Sequence, residues 1–157
     1  MFKAALIIAT TALSTGAIAQ DQTPSVALGE RMSIIGGCHD CHSAGYGESN
    51  GKIDPATALK GNPVGYSGPW GTTYAVNLRL VAADKSEDEW VDFLKTFETA
   101  PPMPWFNVRH FTDTEMRSLH MYIVSLGDPG DPAPTRLPPG ENPKTPYNVF
   151  APPVMPN

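Results

Sequence analysis

Apolar residues recur at helical spacing in three places along the chain. Trp90, Phe93, Leu94 and Phe97 stand at i, i+3, i+4 and i+7, a stripe that predicts an amphipathic helix. Ser86-Glu87-Asp88-Glu89 precedes it as a capping box, in which the Ser86 hydroxyl accepts from the Glu89 N–H and the Glu89 carboxylate returns to the Ser86 N–H. These acids also suit the positive end of the helix dipole, so they need no catalytic role. Pro101 and Pro102 bar the chain from continuing as helix. A second box, Thr112-Asp113-Thr114-Glu115, opens a helix that puts Met116, Leu119, Ile123 and Leu126 on one face and ends at Gly127. The third pattern comes first in the chain: Leu28, Met32 and Ile35 share a face. That helix is expected to start with Thr23 as N-cap and Pro24 at the first helical position, and to stop at Gly36-Gly37. Gly29 inside it is unfavourable by ~1 kcal/mol, which points to close approach of another helix.

From Ser43 to Thr73 the pattern disappears. Glycines at 45, 47, 51, 61, 65, 68 and 71 and prolines at 55, 63 and 69 leave no room for a long regular element, and the stretch reads as loop. A loop of this length in a compact domain is commonly wrapped around something, and Trp70, Tyr74 and Leu78 are candidates to line what it wraps. After Gly127, ten prolines force an extended path; either Tyr147, Val149 and Phe150, its clustered apolar residues, pin it to the body, or it is a disordered tail. The expected fold class is all-α, about three to four helices with long Gly/Pro-rich loops.

The N-terminus changes the picture of where the protein works. Lys3, an apolar run from Ala4 to Ala12 and the small-x-small pattern Ala17-Ile18-Ala19 read as a secretory signal peptide over residues 1–19. The run is short of the ~20 residues a membrane span requires, and Thr10, Thr11, Ser14 and Thr15 interrupt it, so no span is expected after cleavage. The formal net charge is −5 at pH 7, and removal of Lys3 makes it slightly more acidic. That balance argues against nucleic acid and anionic lipid as partners, and any electrostatically steered partner should present a basic face.

The candidate chemistry lies in Cys38-His39-Asp40-Cys41-His42. Two thiols at this spacing with an imidazole directly after the second form the attachment site of a c-type haem: the cysteines bond the porphyrin as thioethers and His42 faces the iron. Three other readings compete. A redox disulfide needs a βαβ context that the flanking glycines and prolines do not offer. A zinc site needs a fourth donor, which His110 or His120 could supply. A structural disulfide leaves the histidine unexplained. Two cysteines on an exported chain also suit an oxidising compartment, the periplasm of a bacterium.

A six-coordinate haem requires a second axial donor. Met103 is the best candidate, because Pro101, Pro102 and Pro104 reduce the freedom lost on fixing its thioether. Met116 and Met32 belong to core faces, Met121 to a more polar side with Ser118 and Ser125, and Met155 to the tail. His110 or His120 would give bis-histidine ligation, and the His39 ring should point away from the iron. Met/His ligation raises the reduction potential relative to bis-His and fills both axial positions, a combination suited to electron transfer.

An N-terminal helix running into CHDCH, the glycine-rich loop, Gly71-Thr72-Thr73-Tyr74-Ala75-Val76-Asn77-Leu78, the Met103-Pro104-Trp105 turn and Tyr122-Ile123-Val124-Ser125-Leu126 together resemble a class I cytochrome c over roughly residues 26–126. The last two segments are similar to cytochrome c domains that accompany periplasmic dehydrogenases. The resemblance implies a cytochrome c domain over 20–127 with a proline-rich extension over 128–157. It implies one haem c on Cys38 and Cys41, with His42 and Met103 as axial ligands. It also implies a helical fold in which the first and last helices cross. The implied role is a periplasmic monohaem carrier without substrate chemistry, exchanging single electrons with redox protein partners such as a dehydrogenase or a terminal oxidase or reductase. The alternatives are a haem subunit of a dehydrogenase or oxidase complex, and a haem sensor or enzyme with an open distal site that would bind carbon monoxide readily. Two features depart from the family: Ile34 and Ile35 stand where an aromatic is frequent, and the proline-rich tail lies outside the common domain.

Overall fold

A computed structural model describes residues 23–156; the expected signal peptide, 1–19, lies outside the described residues. In chain order the elements are α1 (Val26–Ile35), α2 (Cys38–His42), β1 (Gly65–Gly68), β2 (Gly71–Tyr74), α3 (Leu78–Ala83), α4 (Glu87–Thr96), α5 (Trp105–Val108), α6 (Asp113–Ser125) and β3 (Tyr147–Val149).

The all-α expectation of three to four helices is therefore corrected. Among the described residues, six helices accompany a three-stranded mixed sheet in the order β2-β1-β3. The segment read as loop contains the β1–β2 hairpin, antiparallel with Tyr66 opposite Thr73 and Ser67 opposite Thr72. β3, from the proline-rich tail, adds to β1 in parallel with Gly65 opposite Tyr147. The hairpin's Tyr66, Thr72, Thr73 and Tyr74 favour extended backbone, but strands of four residues are too short for an alternating pattern to show among so many glycines. The short helices α3 and α5 escaped for the same reason, having too few turns to display a period.

The predicted helices form, with one shift. Ser25 rather than Thr23 caps α1, its Oγ accepting from the Leu28 N–H at 3.2 Å. Both capping boxes are closed in both directions. α1 crosses α6 at Gly29, where a Cβ would stand 1.9 Å from the Ser118 carbonyl oxygen; only hydrogen fits there. The close approach inferred from a glycine in mid-helix is thus real. Trp90, Val91 and Leu94 of α4 pack against Met116, Leu119 and Ile123 of α6, with Leu59 of the long connection closing the core.

α3 and the start of the tail are knotted together. Asn77 Oδ1 caps α3 by accepting from the Arg79 and Leu80 N–H groups, while Nδ2 donates to the carbonyls of Pro129 and Asp131 at 2.7 and 2.9 Å. Arg79, 3% exposed, places its guanidinium on main-chain carbonyls of Pro55, Ala58, Leu126 and Asp128. Such a group stays charged while buried because each N–H it uses meets an oxygen. Farther along, Leu137 and Thr72 exchange both backbone hydrogen bonds. Among the described residues no helix is long and apolar enough to cross a membrane.

Candidate functional site

Helix α2 is a single turn and a half, and that brevity serves its motif. Cys38, Cys41 and His42 stand at i, i+3 and i+4, so one helical face carries both thiols and the imidazole. Both cysteines are free and half-buried. Burial pushes the Cys38 thiol up to about 11, so it is protonated at neutral pH. A redox Cys-x-x-Cys centre depends on the opposite shift, and among the described residues the motif precedes all three strands, so no βαβ unit there presents it.

His42 is 7% exposed, and its Nδ1 donates to the Val76 carbonyl at 2.7 Å. That bond settles the tautomer and leaves the Nε2 lone pair for a metal. Burial lowers the His42 pKa, with the Val76 bond pulling weakly the other way, so the ring is neutral and able to ligate. The Val76 segment is held in turn by Gly61. Its N–H donates to the His42 carbonyl at 2.8 Å, and Asn62 N–H donates to Ala75 O at 3.1 Å. Gly61 has φ +87°, and a Cβ there would meet Ala75 O at 2.8 Å and Asn77 N at 3.0 Å, so a side chain would push the acceptor strand off His42.

His39 is 1% exposed and bridges two serines, Nε2 to Ser33 Oγ at 3.0 Å and Nδ1 to Ser43 Oγ at 2.8 Å. The Ser33 hydroxyl proton is used on Glu30 O, so His39 Nε2–H must be the donor to Ser33. Ser43 then gives its proton to Nδ1 and accepts from Leu59 N–H. Each member is satisfied only with a neutral ring, and burial shifts the His39 pKa down accordingly. The bridge ties α2 to α1 and turns the His39 ring away from the face of His42. The cavity of about 280 Å³ beneath the Tyr46 loop lies on this His39 side and is not lined by Cys38, Cys41, His42 or Met103.

Met103 arrives from a different part of the chain. It is half-buried, its carbonyl accepts from Trp105 N–H at 3.0 Å, and the guanidinium of Arg109 lies 4.3 Å from the Trp105 ring centroid. The β1–β2 hairpin reaches this loop. Burial foremost, with the Cys41 thiol adding, pushes the Tyr66 phenol on β1 up. Thr73, the cross-strand partner of Tyr66, donates from Oγ1 to the Pro101 carbonyl at 2.7 Å. Residues opposite one another on an antiparallel pair share a face, so the face of the hairpin that holds the Met103 loop through Thr73 also carries Tyr66.

The zinc alternative lacks its donors. Among the described residues no group of three or more His, Cys, Asp or Glu side chains converges. His110 is exposed, and His120 is committed through Nε2 to Ala82 O and Lys85 O. Of the other expected lining residues, Leu78 joins the core, Tyr74 accepts a hydrogen bond from Thr145, and Trp70 packs on Phe150. Met116 and Met32 are core residues at 0% and 3% exposure, and Met155 is 79% exposed. Comparison with protein-family models, curated proteins and solved structures found no match.

The residues present fit a covalently held haem: two free thiols and an imidazole on one helical face, the imidazole with one nitrogen committed and the other available. Reasoning from sequence named the segment that holds Thr73 and Val76 without giving either a role, and did not find Tyr66 or the serines around His39. A carbonyl acceptor can belong to any residue, so Val76 carried no signal. Tyr66 and Thr73 became legible only through strand register.

Proposed function

We propose that the chain is an exported monohaem c-type cytochrome of the bacterial periplasm, carrying single electrons between redox protein partners. The observation that carries this reading is the His42 Nδ1 bond to Val76 O on the same helical face as the two free cysteines. Cys38 and Cys41 would hold haem c as thioethers, and His42 Nε2 and the Met103 sulfur would occupy the axial positions. Bound there, the haem supplies a one-electron Fe(II)/Fe(III) couple.

The chain's own residues then do the following. Val76 O accepts from Nδ1 and raises the basicity of Nε2, strengthening the proximal bond. His39 pins α2 against α1, so the proximal ligand does not swing when the charge on the site changes. Met103, a soft donor in a loop stiffened by three prolines, would hold the iron with a thioether, which favours the reduced state. The acidic surface selects partners with a basic face.

The test is production in a host able to install haem, followed by absorption spectroscopy of the ferric protein with and without Met103→Ala. The expected result is a red protein whose haem stays attached on denaturing gels. Its far-red iron–sulfur band should vanish in the variant. A colourless protein, or one loaded with zinc, overturns the reading.

A further inference from the structure

The proline-rich tail occupies both edges of the hairpin. On the outer edge of β2, Leu137 N–H donates to Thr72 O at 2.9 Å and Thr72 N–H to Leu137 O at 3.0 Å. On the outer edge of β1 lies β3, and the Phe150 N–H extends the pairing to Ser67 O at 2.7 Å. Between these, Arg136 donates to Trp70 O at 3.0 Å and Thr145 to the Tyr74 hydroxyl at 3.1 Å, while the Phe150 ring packs on Tyr66 and Trp70. Two four-residue strands are marginal alone, so a hairpin of this size takes its rigidity from what covers its edges.

The hairpin passes that rigidity on at one point. Thr73 is 8% exposed and has one hydroxyl proton; the acceptors in reach are Pro101 O at 2.7 Å and Tyr66 O at 3.4 Å, and the shorter contact takes it. Pro101, Pro102 and Pro104 have no N–H, so the loop around Met103 can build little hydrogen bonding of its own. An external anchor on Pro101 therefore counts for more than it would in an ordinary loop.

We propose that the tail is a strap over the hairpin, and that Thr73 is the positioning residue through which the strap holds Met103 at the sixth coordination position and keeps small molecules out. This rests on the haem reading above and on Met103 as ligand. Its chemistry is ligand exclusion: with the strap seated, carbon monoxide competes with a held thioether; with the anchor lost, the loop swings and the iron opens.

The experiment uses the full-length ferrous haem protein and carbon monoxide as probe. Wild type, Thr73→Val, Thr73→Ser and the strap variant Leu137→Pro are compared, with amide exchange at Trp105 as a readout independent of the iron. Thr73→Val keeps the shape and removes the donor, and loss of one such bond is expected to speed carbon monoxide binding about tenfold. Thr73→Ser should restore slow binding. Leu137→Pro, which removes the N–H given to Thr72, should speed binding in the same direction, and Trp105 N–H exchange should rise in both fast variants. Unchanged binding in Thr73→Val overturns the role of Thr73, and a fast Thr73→Val with an unchanged Leu137→Pro overturns the strap. Wild type that binds carbon monoxide freely, with Met103→Ala spectrally silent, overturns the Met103 assignment and this inference with it. Slow wild type with unchanged variants overturns the inference alone.

Discussion

The two sides of the candidate site are built differently. On the His42 side a single turn and a half of helix carries the two thiols and the imidazole, and a set of buried bonds fixes it: His39 to Ser33 and Ser43, His42 to Val76, Gly61 to the His42 carbonyl. On the Met103 side the loop's anchors are the Thr73 hydroxyl on Pro101 and the stacked Trp105–Arg109 pair. The first side is held by several buried bonds and the second by one hydrogen bond from the hairpin and a stacked pair within its own stretch of chain. Function on the first should therefore be lost along with structure, whereas on the second it can change while the fold persists.

Replacing Cys38 and Cys41 together with alanine should have the largest effect, abolishing covalent haem altogether; a haem-stained denaturing gel reads it directly. His39→Ala empties a buried site and strands hydroxyl groups on two elements, and should lower stability by about 3 kcal/mol, read as a shifted denaturation midpoint. Arg109→Ala, on the distal side, loses the Trp105 stack and the bonds to Thr96 O and Phe97 O, and should lower stability by only about 1 kcal/mol while weakening the far-red ferric band. Equal destabilisation by the last two variants would erase the contrast.

The elements that were legible are those written in consecutive residues. Gly29 at the crossing and both capping boxes each carry a local signature, and each is where the sequence placed it. The Met103 side was legible only as a candidate residue. Its support depends on the register of Tyr66 against Thr73 and on a tail strand that pairs with β1 from far along the chain. Neither can be read from the composition of a glycine- and proline-rich stretch, and that same composition led to the all-α expectation.

The smallest effect sharpens the comparison by lying outside it. The Ser86 N–H and hydroxyl hold the Glu89 carboxylate below its usual pKa. Because the folded value lies under the unfolded one, this cap's contribution is full at neutral pH and fades as pH falls through the folded value. Glu89→Gln should flatten that part of the acid limb in a pH series of thermal melts, while the spectrum stays unchanged on both sides of the site.

The parallel pairing of Gly65 with Tyr147 also constrains the order of events during synthesis. A polypeptide emerges from its amino end, so the CHDCH turn and the hairpin are exposed well before β3 exists. Until then one margin of the sheet is bare. That margin closes only when the carboxyl-terminal segment arrives and pairs with β1.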